Sequence, residues 1–273
     1  CLVTYLYFYA PNIQDVVTWT QSNFETSGGF GPNQVSTILG LGIFIFFVQL
    51  MLNSSNGILQ IINGGLVLFF AYRGLITFSR GGIYTGVAMI LLLLAILYFQ
   101  ANFQTKPKIA GIIVLSFLAT LAVWSYSSIK TNGLLDKRYA NQDAAGREKK
   151  SQLSGREILI ESELKMFYEN PILGVGVGKN KELRKSQTGI DLATHNEITR
   201  MLAEHGTLGI VGLLILLITP LYLFAVDRQN ILALSFFVFW LLTINHASMR
   251  LSAPAFIYAL SLLKVYREAP AVH

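Results

Sequence analysis

GGLVLFFAYRGLITFSRGGIYTGVAMILLLLAILYFQ, residues 64–100, is the stretch whose reading decides the fold. It holds two charged side chains, Arg73 and Arg80. Around Ser79-Arg80-Gly81-Gly82 it divides into two apolar runs, which with their flanks cover roughly 58–78 and 83–102. Each is as long as a membrane-spanning helix, which takes about 20 mostly apolar residues. A four-residue polar connection between two such runs is a helix–turn–helix crossing back through the bilayer.

Working outward, four more segments fit the same description: 34–52, 109–127, 205–226 and 231–248. The shorter runs 1–10 and 253–265 read as a truncated span and a short final span, so the chain reads as part of a longer protein. Of the 273 residues, 53% are hydrophobic and 13% charged, against about a quarter charged in a soluble domain. This composition excludes a disordered chain, a collagen, a coiled coil and a soluble enzyme of ordinary surface. Cys1 is the one cysteine, which excludes a disulfide framework and a thiolate metal cluster.

The charges are unevenly placed. Residues 128–203 hold 13 of the 21 basic and 10 of the 15 acidic groups. The expected architecture is therefore an all-α integral membrane protein, a multi-span helical bundle with one large structured extracytoplasmic loop. Its segments are 1–127, the loop 128–203, and 204–273. The short connections on one side carry Lys106, Lys108, Arg228, Lys264 and Arg267, while the other side has Arg80 and Arg250. By the positive-inside rule the first side is cytoplasmic and the loop faces outward.

Within the loop, Ser154-Gly155-Arg156-Glu157 is a capping box that opens a helix with Ile160, Leu164 and Phe167 at helical spacing, ended by Pro171. Such a helix suits the membrane face. The run 170–178 follows, with Gly174, Gly176 and Gly178; its spacing is not that of a dinucleotide fingerprint. Thr194-His195-Asn196-Glu197 reads as a second capping box, with His195 at the first helical position. A helix N-terminus favours anions, and imidazole titrates near neutral pH. Asp191 with His195 is a weak metal spacing, and no metal is assigned. His205 reads as a helix-end residue, and Asn33 as part of a helix-start turn.

Arg73 lies two turns inside an apolar run. It either snorkels outward or faces a polar cavity or partner, and position alone leaves both open. The same holds for Arg80. His246, with Arg250 one turn later, maps to the same side and can line the same cavity. Arginine forks at the membrane surface suit phosphate. Nothing resembles a nucleic-acid module.

His195-Asn196, nine residues, then Gly206-Thr207-Leu208-Gly209 resembles the signature of the O-antigen ligase and polysaccharide polymerase superfamily. Ser79-Arg80-Gly81, Gly155-Arg156 and Asn170-Pro-Ile-Leu-Gly-Val-Gly resemble, in order, the family's other motifs. The resemblance implies a C-type, metal-independent membrane glycosyltransferase with no cofactor, in the bacterial inner membrane with its active site facing the periplasm. It implies a donor glycan on undecaprenyl diphosphate, and as acceptor lipid A-core, another lipid-linked glycan or a protein hydroxyl. It further implies that His195 is catalytic and that Arg80 and Arg156, with Arg73 as a further candidate, engage the diphosphate; Asn196, Arg250 and His246 are candidate cavity residues. The reaction expected is inverting transfer. A transporter of an anionic solute or lipid-linked glycan is the rival from another class, and a structural scaffold the third.

Overall fold

The computed structural model describes residues 12–149, 157–189, 191–192, 194–246 and 251–265. The chain divides into two units, 1–152 and 153–273. This division falls inside the polar loop, whose first part packs with the first unit and whose remainder packs with the second.

The first unit contains α1 (Ile13–Val16), α2 (Pro32–Val48, continued by a π-turn over Gln49–Asn53), α3 (Gly57–Ile76), α4 (Arg80–Gln100), α5 (Lys106–Lys130) and α6 (Leu134–Tyr139). Four of these, α2 to α5, are long and apolar enough to cross a membrane. Pro32 starts α2, where its missing N–H costs nothing. The Asn56 side chain caps α3 by accepting from the Leu59 amide at 2.8 Å.

Helices α2 and α4 touch backbone to backbone. A Cβ on Gly40 would lie 2.1 Å from the Gly82 carbonyl oxygen, and one on Gly82 would lie 2.1 Å from the Ser36 carbonyl. Small residues permit such an approach where lipid supplies no hydrophobic drive between helices. Beside this seam Val35, Leu39 and Ile43 of α2 pack with Phe70, Leu75, Phe78 and Ile83. Leu135 of α6 joins the same cluster and anchors the start of the polar loop. On α5 only Ser127 is buried, so this helix offers an apolar surface to lipid.

The second unit contains α7 (Glu157–Glu169), α8 (Lys179–Thr188), α9 (Glu197–Val226), α10 (Ala233–Ile244) and α11 (Ala253–Ser261). Helix α9 is the fifth candidate span. The sixth expected span, 231–248, contains a helix of 12 residues, α10. At about 18 Å it is short for a hydrocarbon core of about 30 Å. Asn245 and His246 end it by bonding back to the Leu241 and Leu242 carbonyls, each at 2.8 Å. Phe237, Trp240 and Ile244 of α10 pack against Leu216 and Leu217 of α9 and Tyr258 of α11, and the Tyr258 hydroxyl donates to the Leu216 carbonyl at 2.9 Å.

The amphipathic loop helix exists, but its buried face is Leu159, Ser162, Glu163 and Met166 rather than Ile160, Leu164 and Phe167. The face turned by one position because it packs on protein, against α9, and an ion pair described below draws Glu163 inward. Ser154 of the expected capping box lies outside the described residues.

Candidate active site

The turn Thr77-Phe78-Ser79 joins α3 to α4 and carries Arg80 at the first position of α4. Phe78 has φ +57°, a conformation that costs a bulky residue about 1–3 kcal/mol. Several contacts hold it there. The Phe78 ring is fully buried. Arg138 Nε donates to the Phe78 carbonyl at 2.9 Å. Ser36 Oγ donates to the Ser79 carbonyl at 2.8 Å, and Ser79 Oγ donates to Asn33 Oδ1 at 2.7 Å. Asn33 is thus more than a helix-start residue, since it ties α2 to the arginine-bearing turn.

Arg80 belongs to a cationic corner with Arg138 and Lys149. The Lys149 ammonium donates to the Thr20 carbonyl at 3.1 Å. Its pKa is pushed down, first by burial and then by the positive charges of Arg138 and Arg80. The Tyr139 hydroxyl in the same corner is pushed up, chiefly by burial, and its ring stands edge-on to Tyr84. Cations held near one another cost free energy that a bound anion recovers. Sequence reading overlooked Arg138 and Lys149, because in a loop of 13 basic groups nothing local distinguishes them. The left-handed turn that Arg138 satisfies has no signature either.

Arg73 is 4% exposed. Its Nη2 donates to the Thr26 carbonyl at 3.0 Å, while Thr26 Oγ1 donates to the Ile76 carbonyl at 2.7 Å. The guanidinium therefore fastens the 12–31 segment over the end of α3 and faces a buried backbone partner rather than snorkelling outward. Arg156 and Arg250 lie outside the described residues.

In the second unit His195 is half-buried and directly precedes the cap of α9. The cap is Asn196, whose Oδ1 accepts from the Ile198 amide at 2.9 Å and the Thr199 amide at 3.3 Å. This corrects the expected Thr194 capping box: α9 starts at Glu197, and His195 sits just outside the helix. The Thr194 hydroxyl bonds within its own turn, to the Asn196 backbone. Asn reaches the second and third helical amides from two positions nearer, so it displaces Thr. Asp191 forms ion pairs with Lys185 (2.8 Å) and Lys181 (3.0 Å), and their hydrogen bonds and charges hold its carboxyl down to about 2. Among the described residues no group of three or more His, Cys, Asp or Glu is placed to hold a metal. His246 is turned to its own helix carbonyl.

The glycines after His195 have a backbone reason. Gly206 breaks α9 with φ +58° and ψ −137°. A Cβ there would lie 2.6 Å from the Pro171 and Ile172 carbonyl oxygens. The run 170–176 docks on this kink: Thr207 N donates to Pro171 O (2.8 Å), Val175 N to Ala203 O (2.9 Å) and Gly176 N to Glu204 O (3.1 Å). Gly209 lets the next turn pass the Met201 carbonyl, 2.2 Å from where a Cβ would be. The two sequence motifs are thus the two halves of one splice, and its product is a fixed course for the helix that His195 precedes.

Membrane-spanning helices and a polar helical insert with a histidine at a helix N-terminus define the class, an all-α integral membrane protein with a built polar site. A family model described as O-antigen ligase matches residues 64–217. The chain belongs to this family of ligase- and polymerase-type membrane enzymes, which act on lipid-linked glycans and their acceptors. Comparison with curated proteins and with solved structures finds no significant match.

Proposed function

We propose that the protein transfers a glycan from undecaprenyl diphosphate to an acceptor hydroxyl at the periplasmic face of the bacterial inner membrane. The observation that carries this reading is the placement of His195 immediately outside the Asn196-capped end of α9. In this reading His195 takes the proton of the acceptor hydroxyl as its oxygen attacks the anomeric carbon. The bond from that carbon to the diphosphate oxygen breaks, and inversion follows from attack opposite the leaving group. Arg80 and Arg156 stabilise the charge that grows on the departing diphosphate. The cationic corner adds Arg138 and Lys149 to Arg80, and fixed cations aimed at developing charge are a large catalytic contribution. Arg73, buried on Thr26, supports this end of α3 rather than meeting solvent. Diphosphate is a good leaving group, so the reaction needs neither a metal nor a strong acid. The acceptor is lipid A-core, a lipid-linked repeat or a protein hydroxyl.

A transporter fits less well, because such proteins place charged groups and broken helices at midplane. In spans α2 to α5 every charged side chain lies in the first or last turn of its helix, and Arg73, in the last turn of α3, is closed off from solvent. The test is His195→Ala in the whole protein, assayed with lipid-linked glycan from the native host. Loss of glycosidic product with normal membrane insertion supports the reading, and near-normal product formation refutes it.

A further inference from the structure

Glu163 and Arg184 are charged residues with fully buried side chains, and neither belongs to the chemistry above. Their ion pair is 3.1 Å long. Glu163 Oε1 also accepts from Asn180 Nδ2 at 3.3 Å, which joins α7 to α8. The other carboxylate oxygen accepts from Thr199 Oγ1 at 2.5 Å. Arg184 Nη2 donates to the Leu192 carbonyl. Leu192 and Thr199 bracket His195, three residues before it and four after it. Asp191, next to Leu192, is tied to α8 at the surface by Lys181 and Lys185.

A buried ion pair contributes little net stability compared with apolar residues of the same size, because desolvating both charges offsets their attraction. The physical property it does supply is direction: forks and carboxylates accept partners at fixed angles. Here every partner lies on an element that ends at, or leads into, the histidine segment. Helix α9 needs no help to start, since Asn196 already caps it. The pair therefore fixes where the capped helix end and the preceding strand of chain lie relative to each other, which is the position of His195.

We propose that Glu163 and Arg184, through Thr199 and the Leu192 carbonyl, are positioning residues that hold His195 in its reactive placement. This rests on His195 being the base, and its test separates the two ideas.

Thr199→Val keeps shape and removes the hydroxyl, while Thr199→Ser keeps the hydroxyl. In the whole protein, Thr199→Val should lower kcat for lipid-linked glycan by about 10- to 100-fold, the loss that a displacement near 1 Å brings. KM should stay within about twofold, because the donor's diphosphate is held elsewhere, and Thr199→Ser should restore most of the rate. Independently of activity, diethylpyrocarbonate modification of His195, followed by mass spectrometry, should change rate several-fold in Thr199→Val and Glu163→Gln, with His205 unchanged. Wild-type kcat and labelling in Thr199→Val, or equal losses in the Val and Ser variants, overturn the proposal. If His195→Ala is inactive and Thr199→Val normal, positioning fails and the catalytic reading stands. If His195→Ala is active, the catalytic reading fails, and a slower Thr199→Val then counts against action through His195 as well.

Discussion

Arg138 Nε and the carbonyl oxygen of Phe78, 60 residues apart in sequence, are joined at 2.9 Å. The bond straps the start of the polar loop to the strained turn that presents Arg80. Arg138→Met leaves a buried acceptor without this donor, a loss of about 1–3 kcal/mol, and should lower the thermal midpoint in detergent. Arg138→Lys keeps the charge but not the guanidinium geometry, so it should recover part of the stability and less of the transfer rate. An unchanged midpoint for Arg138→Met would show that the turn holds itself.

Lys149 gives a pH prediction. Its folded-state pKa is depressed by burial and by Arg138 and Arg80, so the charged form opposes folding. That cost is present in full below the folded pKa, and it is relieved as pH rises toward the ordinary lysine value near 10.4. Lys149→Gln should therefore be slightly more stable than wild type at neutral pH, and the difference should shrink in alkali. Inorganic pyrophosphate should raise the melting temperature of wild type more than that of Lys149→Gln. Equal responses would remove Lys149 from the anion site.

Gly206→Ala meets two obstacles at once, a backbone conformation essentially reserved for glycine and two carbonyl oxygens 2.6 Å from the added carbon. The expected cost is roughly 3 kcal/mol or more. Limited proteolysis should then cut within 170–178, because the turn loses its dock. A variant as resistant as wild type would contradict the splice.

Asn196 separates capping from charge. Asn196→Ala should cost about 1 kcal/mol. Asn196→Asp keeps the acceptor and suits the positive helix end, so it should melt no lower than wild type. Transfer should nevertheless slow in Asn196→Asp, because a fixed carboxylate beside His195 favours the imidazolium, which cannot take the acceptor's proton. A fully active Asp variant would count against His195 as the base.

The spans were legible in the sequence because apolar length is a signal that needs no partner. Residues 64–100 show it, and so does α9. The motifs were legible as places, with Arg80 at the start of α4 and His195 beside a helix start. What escaped depends on distant partners. Glu163 and Arg184 read as ordinary charges on polar helices until each is placed against the other. Thr194 looked like the cap because a Ser/Thr followed three residues later by Glu has a known pattern, whereas the geometry that lets Asn196 reach two amides is three-dimensional. The length of α10 depends on Asn245 and His246 bonding back to its last turn, which hydropathy does not register.

The break at Gly206 also works as a depth gauge. Helix α9 carries Glu197, Arg200, Glu204 and His205 before it and no charged residue from Thr207 to Val226. Those twenty residues span about 30 Å, the thickness of the hydrocarbon layer. The eleven residues back to His195 measure about 16 Å along a helix. In the proposed reading the imidazole rides above the lipid tails, at the level of headgroups and water. Only the polar end of a lipid-linked substrate rises that far, and the chain that anchors it stays below.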